Sequence, residues 1–147
     1  MRVITGTARG RRLKELEGME TRPTTGKVKE SLFSIIQFDI EGRRVLDLFA
    51  GTGQLGIEAL SRGARQCVFI DQRNDAVKLI RENLQVCGLT DSAIVRSGDA
   101  MAYLKSGEKF DLKKVHDKAR AICEKYEFAL DLDQKVYEMS VSQKPVL

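Results

Sequence analysis

The sequence has no tryptophan, two prolines, one histidine and three cysteines in 147 residues. Cys67, Cys87 and Cys123 stand 20 and 36 residues apart, not in the close pairs that zinc sites use, and His116 is the single imidazole. No metal site is expected, and the thiols are expected to be small core fillers. No uncharged apolar run approaches the roughly 18 residues of a membrane-spanning helix, and Met1 to Gly6 lacks the apolar stretch of an export leader. The expectation is therefore a soluble cytoplasmic protein with reduced thiols and no membrane partner. Its length suits one domain of ordinary size.

What is present is unevenly charged. Lys and Arg number 25 against 21 Asp and Glu, a net +4, yet Arg2, Arg9, Arg11, Arg12 and Lys14 alone give the first fourteen residues +5. The remainder sums to −1. A basic arm on a near-neutral body suits a polyanion, because each phosphate neutralised releases condensed counterions. A solvated basic edge strand that discourages aggregation is the plainer alternative.

Gly6 and Gly10 among Val3, Ile4, Thr5 and Leu13 predict a hairpin or extended arm over residues 1 to 17, too polar to join the core. Thr21-Arg22-Pro23-Thr24-Thr25 reads as an extended turn. A helix is then expected from about Thr25, with Val28, Leu32, Ile35 and Ile36 on its packed face. Next come a buried strand at Val45 to Phe49, a short helix at Leu55 to Arg62, and a strand at Cys67 to Asp71. A helix at Asn74 to Val86 stops at Gly88, and a strand at Ala93 to Arg96 follows. Strands alternating with helices predict a parallel, doubly wound α/β sheet. A short helix near Met101 to Lys105 leads to Phe110-Asp111-Leu112, the opening of a fourth strand that Lys113-Lys114 interrupts before helical spacing resumes over 115 to 130.

The sharpest signal is Asp47-Leu48-Phe49-Ala50-Gly51-Thr52-Gly53-Gln54-Leu55-Gly56, a strand end, a glycine loop and a helix start. Gly51 and Gly53 allow tight turning and close approach of a ligand, and Gly56 lets the helix pack near the strand. Asp71 ends the second strand 20 residues after Gly51, where a carboxylate can accept from both hydroxyls of a ribose; capping the following helix is its plainer role. Two nucleoside cofactors compete. A dinucleotide sets a pyrophosphate on the helix N-terminus, where the Asp47 anion would repel it. The sulfonium and ammonium of S-adenosylmethionine attract that carboxylate. Asp99, in Gly98-Asp99-Ala100, is placed to accept from the adenine amine or to cap its loop.

Met1 to Gly6, Gly10-Arg11-Arg12-Leu13, Thr21 to Thr25, Val45 to Ala59, Ser61-Arg62-Gly63-Ala64 and Gly98-Asp99-Ala100 together resemble the bacterial methyltransferases that modify the guanine N2 amine of small-subunit (16S) ribosomal RNA. The resemblance covers residues 1 to about 112. It implies a Rossmann-like S-adenosylmethionine-dependent methyltransferase fold, here incomplete and preceded by a basic N-terminal hairpin or arm. It divides the chain into an RNA-binding arm at 1–20, a cofactor-binding α/β domain at 21–112 and an unmatched, partly helical segment at 113–147. It implies that Asp47, Gly51 and Gly53 hold the methionine end of the cofactor, with Phe49, Ala50, Thr52, Gln72 and Ala100 also among the cofactor-binding residues. Asp71 would hold the ribose and Asp99 the adenine. Arg9, Arg11 and Arg12 would grip ribosomal RNA, free or in an assembling small subunit, with Arg22, Pro23 and Thr24 near the cofactor or target base.

The pattern departs after Leu112. Members of that family follow the fourth strand with Asp-Pro-Pro-Tyr or Asn-Pro-Pro-Tyr, which orients the exocyclic amine and stacks on the flipped base. Here the prolines are Pro23 and Pro145 and the strand runs into Lys113-Lys114-Val115-His116-Asp117, so no catalytic residue is assigned. A His-Asp neighbour pair on an amphipathic helix is read as solvated. The alternative function is accordingly a catalytically inactive module that binds cofactor or RNA.

Overall fold

Apolar runs too short for a helix form strands, and the stretches of helical spacing between them form helices. The computed structural model describes residues 1–18 and 24–106. Its order is α1 (Gly26–Ile36), β1 (Arg44–Asp47), α2 (Gln54–Ser61), β2 (Gln66–Asp71), α3 (Asn74–Cys87), β3 (Ala93–Ser97) and α4 (Ala100–Lys105). The chain divides into two compact units, Met1–Ala100 and Met101–Leu147. Of the second, residues 101–106 are described. The turn at 21–23, the fourth strand at 110–112, the helix at 115–130 with His116 and Asp117, and Cys123 lie outside the described residues.

β1, β2 and β3 form a parallel sheet in that order, with Val45 opposite Cys67 and Cys67 opposite Ala93. Right-handed crossovers between neighbouring parallel strands put α2 and α3 on one face. β2 is the central strand, and Cys67, Val68, Phe69 and Ile70 are all buried. β1 is shorter and wetter than the buried strand expected over 45–49. It pairs with one neighbour among the described residues, and Leu48 and Phe49 have already turned into the glycine loop. α3 buries Ala76, Val77, Ile80 and Leu84 and stops at Gly88, whose left-handed backbone (φ 67°) closes the helix as expected.

Two expectations fail, for one physical reason. The basic arm is not outside the core: Val3, Ala8 and Leu13 are buried in it. The arm is a hairpin, closed by the Arg2–Arg12 bridge and by Val3 N–H donating to the Arg11 carbonyl at 3.0 Å. Burying Val3 and Leu13 stabilises by about 1.5–3 kcal/mol each. The packed face of α1 is also rotated. Val28 is 53% exposed, whereas Lys29 and Phe33 are buried. The cause of both is Glu58 on α2, itself fully buried, which draws Lys29 and the hairpin inward (Nζ to Oε2, 3.6 Å).

Candidate functional site

β1 delivers Asp47 to the carboxyl end of the sheet, and the chain then reverses through the glycine loop into α2. Gly51 (φ 56°) and Gly53 (φ 80°) take the left-handed backbone that makes the reversal possible. Gly56 meets a different demand. A Cβ there would overlap the Phe69 ring and lie 2.7 Å from the Cys67 sulfur, so its absence lets α2 lie directly on β2.

The loop is clasped from β2. Asp71 Oδ2 accepts from Gly51 N–H at 2.9 Å, its Oδ1 accepts from Arg73 N–H at 2.9 Å, and Ala50 N–H donates to the Ile70 carbonyl at 3.1 Å. Asp71 therefore braces the loop and the entry to α3, which is close to the capping alternative. A carboxylate offers about four lone-pair sites, so two remain for hydroxyl donors. Gly98 N–H donates to the Asp71 carbonyl at 3.0 Å and so brings the Asp99 loop alongside.

Asp47 is half-buried, and its Oδ2 accepts from Gly56 N–H at 3.2 Å. Burial first, and then the neighbouring Asp71 carboxylate, push its pKa up from 3.8 to about 6 against the pull of that hydrogen bond. A carboxylate held this way favours a cation beside it. A Cβ on Gly51 would meet nothing within 4 Å, so the backbone there faces open space. Gln54, at the start of α2, carries a buried amide oxygen with no donor. Open backbone, an anion and the spare lone pairs of Asp71 fit a cationic ligand that also bears hydroxyls.

The structure thus brings Asp47, Ala50, Gly51, Thr52, Gly53, Asp71 and the Asp99 loop together. Phe49 and Gln72 stand exposed at the rim, and Ala100 is buried behind Asp99. Thr24 joins them through its carbonyl, which accepts from Gln54 Nε2 at 3.0 Å. Arg22 and Pro23 lie outside the described residues. Arg9, Arg11 and Arg12 make no hydrogen bond or ion pair to the loop among the described residues. They are exposed on a hairpin seated at the other end of α2, where Thr7 N–H donates to the Ser61 carbonyl at 2.8 Å and Ala8 N–H to Ser61 Oγ at 3.0 Å. Eight residues of helix put roughly 12 Å between the hairpin turn and the glycine loop.

Three residues of this architecture carry no motif that marks them in the sequence. Glu58 accepts from Ile4 N–H (2.9 Å), Thr5 N–H (3.0 Å) and Arg62 Nε (2.9 Å), and so clamps the hairpin to α2. Lys29 Nζ donates to the Arg2 carbonyl at 2.8 Å, and its burial pulls its pKa down while Glu58 opposes that shift. Asn83 accepts from Lys14 N–H (2.8 Å) and donates to the carbonyls of Lys14 (3.1 Å) and Thr52 (2.9 Å), which ties the chain beyond the hairpin to the glycine loop. A polar residue inside an apolar helical face was the available signal for all three.

A parallel sheet with helices in its crossovers, a glycine turn after the first strand and an acid ending the second define a Rossmann-like fold, and the solved structures it resembles make it one of the methyltransferase type. The chain belongs to the family described as Conserved hypothetical protein 95, which matches residues 1–114. It is 50% identical over 109 residues to "Putative rRNA methyltransferase YlbH" of Bacillus subtilis (strain 168), covering 74% of this chain and 59% of that one. To "Ribosomal RNA small subunit methyltransferase D" of Escherichia coli (strain K12) it is 36% identical over 104 residues, 71% of this chain and 52% of the other. The solved structure described as "Putative methyltransferase yhhF from Escherichia coli" superposes with a TM-score of 0.64 at 38% identity, over 71% of this chain and 56% of that one. The chain thus spans little more than half the length of these relatives.

Proposed function

We propose that this chain binds S-adenosylmethionine in the glycine loop and ribosomal RNA through its basic hairpin, as part of a methyltransferase whose target is a guanine N2 amine of small-subunit rRNA. The observation that carries the reading is Asp47: a half-buried carboxylate, lifted to about 6, under a glycine loop that Asp71 holds open. That anion repels a pyrophosphate and attracts a sulfonium or ammonium, which sets this cofactor above a dinucleotide. The names of the relatives support rRNA as the substrate class.

When bound, the cofactor supplies an electrophilic methyl group. The chain's own contribution is placement, because in-line displacement depends on holding nucleophile and methyl carbon at near-attack distance. In this reading Asp47 faces the positive end of the cofactor, Gly51, Thr52 and Gly53 offer backbone, and Asp71 with Gln72 receives the ribose. Asp99 and Ala100 bound the adenine, and Phe49 and Ala50 line the loop's entrance. Arg9, Arg11 and Arg12 hold phosphates, while Arg22, Pro23 and Thr24 serve near the cofactor or target base. No residue of the chain is assigned to orient the target amine. The missing Pro-Pro-Tyr pattern favours a second reading, in which the chain alone binds cofactor and RNA without transferring methyl.

Calorimetric titration with S-adenosylhomocysteine tests the cofactor claim. Binding is expected for the wild-type chain and its loss for Asp71→Ala; a folded wild-type chain that binds nothing refutes the claim. Transfer of labelled methyl to small-subunit rRNA then separates the two readings.

A further inference from the structure

Away from the glycine loop, α3 forms one wall of a groove. Lys78, Arg81, Glu82 and Gln85 recur at the spacing of a single helical face, and β3 with the turn Thr90–Ser92 that leads into it forms the facing wall. The groove has a volume of about 410 Å³, within the roughly 300–1,000 Å³ of small-ligand sites, and Leu84, Ala93 and Val95 give it an apolar floor.

Its charge is one-sided. Lys78 and Arg81 are exposed and make no ion pair among the described residues. Arg81 Nη2 donates to the Val95 carbonyl at 3.5 Å, a long bond that spends one of the five guanidinium donors. Glu82, the acid on that wall, is paired with Lys14 Nζ at 2.8 Å. The same pair ties the groove to the basic hairpin. Arg11 stands near the far end of α3, where burial pushes the Cys87 thiol up and the Arg11 charge opposes that shift. The hairpin's cations thus run alongside α3 and continue, one turn on from Glu82, into Lys78.

A nucleotide answers every part of this surface. Its phosphates meet the cations, its base covers the floor, and the base edge bonds the Gln85 amide and the Thr90 hydroxyl. A carboxylate side chain would meet the cations and leave the floor bare. Bases stacked in a duplex do not enter such a groove, so the strand there is unpaired.

Resting on the RNA-binding part of the function proposed above, we infer that the groove between α3 and β3 holds one unpaired nucleotide of the strand that the hairpin grips. Lys78 and Arg81 take its flanking phosphates, and Gln85 and Thr90 bond the edge of a base laid on Leu84 and Val95.

The full chain is titrated by fluorescence anisotropy with a short single-stranded RNA, the same strand made abasic, and a poly-glutamate peptide. In Lys78→Gln/Arg81→Gln, affinity for the RNA is expected to fall roughly tenfold, and the slope of log affinity against log salt by about 0.7 for each phosphate lost. In Gln85→Ala/Thr90→Ala, affinity for the RNA is expected to fall about fivefold, with the abasic strand unchanged within about twofold. Loss in the first variant alone reduces the groove to a phosphate patch and overturns the nucleotide site. Poly-glutamate that binds as tightly as the RNA, and is weakened as much by the first variant, overturns it in favour of an acidic protein. RNA binding unchanged in both variants but lost when Arg9, Arg11 and Arg12 become Ala overturns the groove and leaves the hairpin reading standing. A wild-type chain that binds no RNA fails that reading itself. All four side chains are exposed, so wild-type melting is expected, and the single substitutions carry the same comparison if a double variant melts early.

Discussion

Asp47 shows what one side chain costs and provides. Its pKa rises from 3.8 in the unfolded chain to about 6 in the fold, so the native state holds the proton more tightly than the unfolded one. The linkage is direct: the group favours folding below about pH 4, and that contribution disappears as pH climbs through about 6. Asp47→Asn is therefore expected to be more stable than wild type at pH 7 by about 2 kcal/mol, allowing for screening at a half-buried carboxyl. The difference should close toward pH 4, as read from urea melts across that range. Equal stability of the two proteins at pH 7 refutes the assignment. Under the proposed function, the affinity of wild type for S-adenosylmethionine falls below about pH 6 as Asp47 takes up a proton, and the Asn variant loses that dependence. Gly56 is the complementary case, since the place it must occupy against Phe69 follows from its position in the glycine motif. Gln54, whose buried amide donates to the Thr24 carbonyl, has no such mark.

Among the elements, α2 organises the others. One end receives the glycine loop, and the other receives the hairpin and α1 through Glu58, Ser61 and Arg62, with the Arg62 guanidinium 4.8 Å over the Phe33 ring. Glu58 is a buried charge with two cationic partners and two backbone donors, so removing it strands Lys29 in the interior. Glu58→Ala is expected to lose about 3–5 kcal/mol of stability and to expose the hairpin to trypsin at Arg9, Arg11 and Arg12. Unchanged melting and unchanged cleavage would show that the clamp contributes nothing. Gly6 points the same way. Its φ of 93° and the overlap a Cβ would make with the Ser61 carbonyl leave no room for a side chain where the hairpin meets the helix. The periodicity of α1 singled out Val28 because an apolar face is normally the packed one. A buried lysine defeats that rule, and only its partner on α2 explains it.

On the scale of the whole molecule, the turn of the basic hairpin and the glycine loop sit at the two ends of α2. Arg9, Arg11 and Arg12 are exposed and have no carboxylate partner among the described residues, so their charge is available to phosphates. Replacing the three by Ala is expected to reduce the slope of log affinity for small-subunit rRNA against log salt by about 0.7–0.9 for each phosphate no longer neutralised, with S-adenosylhomocysteine binding unaltered. A slope that does not change assigns RNA binding to another surface. Asn83 matters at this scale as well, because its amide spans Lys14 and Thr52 and connects the two ends through α3.

The sequence by itself determined the α/β alternation, the stops at glycine, the loop geometry and the acids at the strand ends. Each of these rests on local rules: a period of 2 or 3.6, a positive φ, a residue one turn from a strand. Tertiary structure alone decided that the hairpin belongs to the core, that α1 buries Lys29 rather than Val28, and that Gln54 is left with an unspent acceptor. Those outcomes depend on partners far apart in the chain, 54 residues from Ile4 to Glu58 and 69 from Lys14 to Asn83. A buried charge or amide is tolerated only where its partner arrives, and no local pattern encodes that arrival.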